Sequence, residues 1–218
     1  MSDKTALRKR HLLKTDGTSL NDKILKDEHR LYYTNTDVDF QSTYKTADGS
    51  MEWKDPTTSA AVFAEILKCL DITGHETFMD CGCGLGHVLY LASKSFTKIY
   101  GVEIVEEAVT QCRKNITALL PNNTINIFAA DMFTLCKDLF DSVDVFYVAN
   151  PFGNMNEFSK LRNIIETSIE RNNRDVYFIY YYPYFEADMA KSNKFTIYRV
   201  LSSDNGNVNI YKHVCIKK

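Results

Sequence analysis

From residue 77 onward, the apolar positions of the chain follow two alternating patterns. Short continuous apolar runs indicate buried strands, and longer stretches with apolar residues three or four positions apart indicate helices. The predicted strands cover residues 77–81, 98–103, 125–130, 143–149 and 175–182. The predicted helices cover residues 60–70, 87–95, 105–118 and 157–171, with a short helix or turn at 132–140 and a further short helix at 185–191.

This alternation of strands and helices predicts a mainly parallel sheet that is covered by helices on both faces. Two more strands are predicted at residues 195–202 and 207–216, and Asp204-Asn205-Gly206 between them is a strong hairpin signal. Because a hairpin joins antiparallel strands, the sheet is expected to end in an antiparallel pair.

Residues 1–55 differ from the rest of the chain because they are mostly polar and charged. Helical spacing is found within them at residues 6–14 and 20–33. We therefore predict a helical N-terminal extension, residues 1–55, that lies over a main domain of residues 56–218. Tyr44 and Trp53 are candidate lid residues of this extension, with packing against the back of the sheet as the alternative.

Composition narrows the class of protein further. The chain has 218 residues and 44% apolar content, enough for one sizeable core, and its net charge of −2 argues against a surface wholly given to nucleic acid. No apolar run approaches the roughly 20 residues of a membrane span, and the first residues, MSDKTALRKRHLL, lack the apolar core of a secretory signal. The six cysteines show no metal-ligand spacing, so we expect no metal site, reduced thiols and a cytoplasmic location.

A glycine-rich turn follows the first predicted strand of the sheet. The segment Asp80-Cys81-Gly82-Cys83-Gly84-Leu85-Gly86-His87 carries glycines at alternate positions and leads into a helix, whose amino terminus offers free N–H groups. The spacing GxGxG differs from the GxGxxG of dinucleotide-binding turns, and Asp80 would repel a diphosphate but suit an ammonium group. His87 is interpreted as a capping or supporting residue rather than a base.

Acidic residues close the next two predicted strands as well. Glu103 lies about 20 residues beyond the turn, where a carboxylate can hydrogen-bond the hydroxyls of a ribose. Asp131 ends the third strand, where a carboxylate can face an adenine amino group while Met132 packs on the ring. Loop glycines and solvated strand ends are the alternative interpretation, but it does not explain why acids close three successive strands.

Taken in order, the glycine-rich turn, Glu103, Asp131 and the segment Asn150-Pro151-Phe152 resemble the motifs of class I S-adenosylmethionine (SAM)-dependent methyltransferases. The resemblance implies a Rossmann-like, three-layer α/β/α fold with a seven-stranded, mostly parallel sheet and a terminal antiparallel hairpin. It also implies SAM as the cofactor, with its methionine part on the turn, its ribose at Glu103 and its adenine at Asp131. The residues that the resemblance assigns to the cofactor are Asp80, Cys81, Gly82, Gly84, Gly86, Glu103, Ile104, Asp131, Met132 and Asn150.

The segment after the fourth strand resembles the position at which nitrogen methyltransferases carry Asn or Asp, two prolines and an aromatic residue. Here the second proline is missing, and the sequence reads Asn150-Pro151-Phe152-Gly153, which argues against carrying over adenine or glutamine specificity. We expect the Asn150 side-chain oxygen to accept hydrogen bonds from an amino group and so aim its lone pair at the SAM methyl group, while Phe152 walls the acceptor pocket. A simple turn is the alternative, because Asn-Pro and Phe-Gly are both common turn pairs.

The fifth strand ends in a run of tyrosines, Tyr180-Tyr181-Tyr182, before Pro183. Alternate residues of a strand point to opposite faces, so only some of these tyrosines can reach the site. An aromatic rim of this kind can hold a cation or stack a base, and a buried core strand is the alternative. The candidate catalytic residues are Asn150, Pro151, Phe152 and Tyr182.

These observations predict a methyltransferase, of the EC 2.1.1 class, that acts on an acceptor nitrogen. The sequence alone places a protein amine, such as a lysine side chain, first among the acceptors. A nucleic-acid base methylated in the manner of adenine N6 and a small molecule are the alternatives. A SAM-binding partner subunit without activity is the non-enzyme alternative, and the sequence makes no prediction about the oligomeric state.

Overall fold

A seven-stranded sheet flanked by helices forms the centre of the computed structural model, which describes residues 38–40, 43–45, 52–54, 58–122, 124–203 and 206–215. The strands in these residues are β1 (Thr43–Lys45), β2 (Glu52–Lys54), β3 (Thr77–Cys81), β4 (Lys98–Glu103), β5 (Asn126–Ala129), β6 (Val145–Val148), β7 (Val176–Tyr181), β8 (Thr196–Ser203) and β9 (Gly206–His213). The helices are α1 (Ala60–Cys69), α2 (His87–Ala92), α3 (Glu106–Leu119), α4 (Lys137–Asp141), α5 (Met155–Arg171) and α6 (Glu186–Met189), with a 3-10 helix over Met132–Thr134. The helices predicted at 6–14 and 20–33 lie outside the described residues.

The strands of the main sheet follow the order β5-β4-β3-β6-β7-β9-β8. Neighbours from β5 to β7 run parallel, whereas β9 pairs antiparallel with both β7 and β8. The predicted mostly parallel sheet with a closing antiparallel hairpin is therefore confirmed. Because the five parallel strands point the same way, their carboxyl ends meet along one side of the sheet, which we call the carboxyl edge.

Both faces of the sheet are buried, which explains the continuous apolar runs of its parallel strands. On one face, Phe78 and Ile179 belong to a core cluster that also contains residues of α1, α2 and α3. On the other face, Met79 and Phe178 pack in a second cluster with residues of α4, α5 and α6. The result is the expected three-layer α/β/α arrangement.

Local hydrogen bonds set helix ends that hydrophobic spacing does not show. Helix α2 ends at Ala92 rather than at residue 95, because the N–H groups of Lys94 and Ser95 bond to carbonyls three residues back, at 3.2 and 2.9 Å, instead of four. Helix α5 begins at Met155, two residues earlier than predicted, because the Asn154 side chain caps it and accepts from the Glu157 N–H at 3.1 Å.

Residues 38–40 are fixed against the main domain beside the glycine-rich turn. Phe40 is 3% exposed and belongs to the first core cluster. The Asp39 N–H donates to Asn115 Oδ1 at 3.0 Å, and Asn115 Nδ2 donates to the carbonyls of Asp39 at 2.6 Å and Leu85 at 3.0 Å. The side-chain amide of Asn115 therefore joins this segment, helix α3 and the turn.

The extension also contains a two-stranded sheet that hydrophobic spacing does not predict. Strands β1 and β2 pair antiparallel, and Tyr44 lies directly opposite Trp53. The domain boundary at residue 55 and the lid role of these two residues stay predictions.

Two further expectations concern membranes and thiols. No helix in the described part of the chain has the length and apolar character needed to span a bilayer. The six cysteines, all of which lie in the described residues, form no disulfide there.

Candidate active site

The turn between β3 and α2 brings bare backbone to the carboxyl edge. The N–H groups of Gly82 and Cys83 both donate to the Val102 carbonyl at 2.9 Å, which fastens the turn to β4. Gly82 has φ of 89°, and a Cβ added to it would lie 2.5 Å from Cβ of Pro151. Only glycine fits this conformation and this close approach to the segment after β6.

Glu103 fixes the end of β4 against the same turn. Its side chain is buried, and Oε2 accepts from the Gly84 N–H at 3.2 Å. Oε1 accepts from the N–H groups of Ile104 at 2.8 Å and Val105 at 3.0 Å. These bonds hold the carboxylate in one orientation, and the neighbouring Ile104 is 67% exposed, so a charged acceptor group and an open apolar surface lie side by side.

The two other predicted acids, Asp80 and Asp131, lie at the ends of β3 and β5, the strands on either side of β4. Asp80 is buried at the end of β3, and after burial itself its charge contributes to raising the pKa of the adjacent Cys81 thiol. Asp131 caps the 3-10 helix, where its Oδ1 accepts from the Phe133 N–H at 2.9 Å. The Met132 side chain is 9% exposed and packs in the second core cluster, so little of its surface is open to a ligand.

Asn150 and Tyr182 close the neighbouring strands β6 and β7 in left-handed conformations, with φ of 50° and 51°. Asn150 Nδ2 donates to the Tyr182 carbonyl in a short hydrogen bond and to the Tyr181 carbonyl at 3.4 Å. Asn150 Oδ1 accepts from the Tyr180 hydroxyl at 2.7 Å. The amide that the sequence assigns to the methyl acceptor is thus bound to β7, with one lone pair of its oxygen left for another donor.

Two pairs of aromatic rings belong to the segments that follow the parallel strands, one pair beside each core cluster. Phe152 stacks on Phe133 with ring centroids 5.8 Å apart and planes at 17°, and the Lys160 ammonium lies 4.8 Å from the centre of the Phe133 ring. In the second pair, the Tyr182 and Tyr184 rings lie 6.5 Å apart with planes at 13°, and Tyr184 is 76% exposed. Flat surfaces of this kind suit a planar ligand group.

His87 begins α2 directly after the turn, and it is buried with its ring 4.9 Å from that of Phe40. Burial lowers the pKa of His87 to about 4, so the ring is neutral at physiological pH. This environment agrees with a supporting role rather than that of a base.

The structure therefore brings the predicted residues to one edge, in the strand order Asp131, Glu103, the glycine-rich turn, Asn150 and Tyr182. Three residues of this edge are missing from the predicted site: Phe133, Tyr180 and Tyr184. The aromatic run from Tyr180 to Phe185 was the sequence signal for two of them. Nothing in the sequence distinguishes Phe133 from a core residue.

The fold and this edge define the class I, Rossmann-like SAM-dependent methyltransferases, as the sequence motifs predict. The chain belongs to the methyltransferase domain family, whose model matches residues 72–214. The expectation of SAM as the cofactor is confirmed at the level of this family.

Solved structures share the fold at low sequence identity. The precorrin-6y C5,15-methyltransferase of Geobacter metallireducens superimposes with a TM-score of 0.60 and 16% identity, over 81% of this chain and 95% of that chain. An RNA methyltransferase from Salinibacter ruber, in complex with S-adenosylhomocysteine, gives a TM-score of 0.55 and 15% identity, over 74% of this chain and 96% of that chain.

Curated relatives match part of the chain. An uncharacterized RNA methyltransferase of Halalkalibacterium halodurans is 29% identical over 93 residues, which is 43% of this chain and 19% of that protein. One from Staphylococcus aureus is 31% identical over 97 residues, which is 43% of this chain and 21% of that protein. The chain thus spans about a fifth of the length of these relatives.

Proposed function

We propose that this protein transfers the methyl group of SAM to a nitrogen of an RNA base that is held at the ends of β6 and β7. The observation that carries the proposal is the pair of aromatic surfaces, Phe152 with Phe133 and Tyr182 with Tyr184. Phe152 directly follows the Asn150-Pro151 turn, and the Tyr182 carbonyl accepts from the Asn150 side chain. The sequence alone places a protein amine first, and the names of the curated relatives favour RNA instead.

The residues of the carboxyl edge fit the cofactor. A Cβ at Gly82 would close the space beside Pro151, and the fixed carboxylate of Glu103 offers acceptors to a sugar beside the exposed Ile104. Glu103 would hold the ribose hydroxyls, Ile104 would contact the base, and the negative charge of Asp80 would favour the ammonium group.

Orientation accounts for most of the catalysis in this proposal. When bound, SAM supplies an electrophilic methyl group on a positively charged sulfur, so the chain has to position the acceptor nitrogen rather than activate it strongly. Asn150 Oδ1 keeps one lone pair for an amine hydrogen, and Phe152 limits the movement of the acceptor ring.

The surroundings of Phe152 favour a nucleic acid over an isolated amine. Stacking on aromatic side chains is the usual way in which proteins hold unpaired bases. Lys160, which is exposed beside the Phe133 ring, provides a positive charge at the rim where a phosphate would pass. Because the chain as a whole has a net charge of −2, the positive charge of Lys160 is a local feature of this rim.

Transfer of a tritiated methyl group from SAM tests the proposal. The purified protein is offered total RNA, total protein and a small-molecule extract, all from cells that lack the gene, and each product is digested with nuclease or with protease. We expect label in the RNA that nuclease releases as methylated nucleosides. Label that only protease releases would overturn the RNA assignment, and SAM binding without label in any pool would favour the inactive subunit.

A matched pair of glutamates controls this experiment. Glu103→Gln removes the charge of the buried carboxylate and is expected to abolish most of the labelling because SAM binding weakens. Glu107→Gln changes an exposed residue in the first turn of α3 and should leave the labelling at the wild-type level.

A further inference from the structure

The ring of Tyr180 is held rigidly in the second core cluster. Tyr180 is fully buried at the end of β7. Its ring stacks on that of Phe158 in α5, with centroids 4.7 Å apart and planes at 20°, and it meets Phe178 edge to face at 6.2 Å. The position of the Tyr180 hydroxyl is therefore set by the sheet and by α5.

That hydroxyl has partners that define where its proton lies. The Phe185 N–H donates to the Tyr180 oxygen at 3.1 Å, so the hydroxyl proton is directed to its other neighbour, Asn150 Oδ1, at 2.7 Å. The donation fixes the orientation of the Asn150 amide, because Nδ2 then faces the carbonyls at the end of β7. Burial raises the pKa of Tyr180 to about 12, so the donor keeps its proton at physiological pH.

The Asn150 backbone needs such support. A positive φ is uncommon outside glycine, although Asn tolerates it better than most residues, and it persists where surrounding contacts over-determine it. The next residue, Pro151, lies against Gly82 of the glycine-rich turn. A chain of contacts thus runs from Tyr180 through Asn150 and Pro151 to the proposed cofactor side.

We infer that Tyr180 is a positioning residue for methyl transfer, which holds the Asn150-Pro151-Phe152 segment in register with the glycine-rich turn through its hydrogen bond to the Asn150 amide. The inference rests on the proposed function, because it assigns the acceptor to this segment. Loss of the hydroxyl leaves the amide held only through Nδ2, so its orientation is less closely defined and the acceptor nitrogen loses its alignment with the methyl group.

Tyr180→Phe tests the inference because it keeps the ring and removes the hydroxyl. We expect the single-turnover rate of methyl transfer, with SAM and acceptor both saturating, to fall at least about tenfold, while the dissociation constants of SAM and of the acceptor change less than about twofold. The pH profile of the rate should keep its shape, because Tyr180 orients a neighbour and exchanges no proton.

Tyr211→Phe is the matched control. Tyr211 is a buried tyrosine of β9 in the same core cluster, and its hydroxyl accepts from Asn209 Nδ2 at 3.2 Å. Removal of the Tyr211 hydroxyl is expected to lower the melting temperature about as much as Tyr180→Phe does and to leave the transfer rate unchanged. Equal rate losses in both variants would mean a merely structural role.

A double-mutant cycle with Asn150→Ala provides a second measurement. It does not depend on any single variant keeping the wild-type transfer rate. If Tyr180 acts through Asn150, the double variant should be no slower than Asn150→Ala alone. A Tyr180→Phe rate within about twofold of wild type, or losses that add in the double variant, would overturn the inference.

The rates are measured on whichever pool takes the label in the digestion experiment. If the protein pool takes the label, the RNA assignment is overturned, and the role of Tyr180 is still tested with the protein acceptor. A chain that labels no pool would overturn both the proposed function and this inference.

Discussion

At the scale of single residues, Asn150 and Tyr182, at the ends of β6 and β7, adopt left-handed backbone conformations that cost free energy. Asn tolerates a left-handed backbone better than most residues, but Tyr rarely adopts one, so Tyr182 requires compensation from its surroundings. Its N–H donates to the Asn207 carbonyl at 2.9 Å, and its own carbonyl accepts from Asn150 and from the Tyr184 N–H at 2.8 Å. Conformations of this kind concentrate at functional sites, which agrees with the placement of the acceptor here.

Gly82→Ala is expected to lower the free energy of unfolding by about 2–4 kcal/mol, because the new Cβ both meets Pro151 and occupies a left-handed conformation. Urea denaturation of the purified variant measures the change. Gly153→Ala is the control, since a Cβ there meets nothing within 4 Å and should change stability by less than about 0.5 kcal/mol. If Gly82→Ala and Gly153→Ala changed the free energy of unfolding equally, the contact of Gly82 with Pro151 would not be tight.

Tyr184→Ala is expected to weaken binding of the acceptor RNA about tenfold, because base stacking on one aromatic ring contributes about 1–3 kcal/mol. Fluorescence titration with a labelled oligonucleotide from the methylated site measures this. Tyr184→Phe keeps the flat ring and should bind as the wild type does. Unchanged affinity for RNA in the alanine variant would remove Tyr184 from the acceptor surface.

At the scale of elements, one side chain in α3 joins residues 38–40 to the glycine-rich turn. Asn115 is fully buried and bonds to the backbone of Asp39 and of Leu85, and Gln111 Nε2 donates to its Oδ1 at 2.9 Å. Helical spacing marks position 115 only as a polar interruption of an amphipathic helix. Its role becomes visible once residues far apart in the chain lie next to each other.

Asn115→Ala is expected to lower the free energy of unfolding by about 2–3 kcal/mol, because the Asp39 N–H and the carbonyls of Asp39 and Leu85 lose their hydrogen bonds to this side chain. Amide hydrogen exchange at residues 38–40 should become faster than in the wild type. Asn126→Ala, at an exposed position whose amide bonds only to the nearby Thr124 carbonyl among the described residues, should change neither quantity. Unchanged exchange in Asn115→Ala would show that Phe40 alone holds the segment.

At the scale of the whole molecule, the sequence predicts the sheet well because both of its faces are buried. Continuous apolar runs therefore mark β6 and β7, and the acids at Asp80 and Glu103 mark where strands end. The bond between Tyr180 and Asn150 could not be predicted, since it joins neighbouring strands through a particular side-chain conformation. The hairpin of β1 and β2 was missed because its strands are short and mostly polar.

The stability of the whole domain should depend on pH through His87. Its pKa is lowered to about 4 in the folded protein by burial, against about 6.5 in the unfolded chain, so the unfolded state binds more protons between these values. This contribution is fully present well above pH 6.5 and is lost as the pH falls through 4, by about 3 kcal/mol in total.

Urea denaturation at several pH values checks this expectation with two variants. His87→Phe keeps a ring beside Phe40 and should flatten the dependence between pH 6.5 and 4. His75→Asn changes an exposed histidine and should leave the wild-type slope. A slope that survives in His87→Phe would assign the pH dependence to other groups.

The position of β3 in the middle of the five parallel strands separates two tasks along the chain. The residues assigned to the methyl donor come mainly from 80–132, on β3, β4 and the end of β5, whereas those assigned to the acceptor come from 150–184, after β6 and β7. On the proposed function, a chimaera that takes the second stretch from another member of the family is expected to exchange the methylated target and keep the same donor. The contact between Gly82 and Pro151 is the junction that such a graft has to preserve.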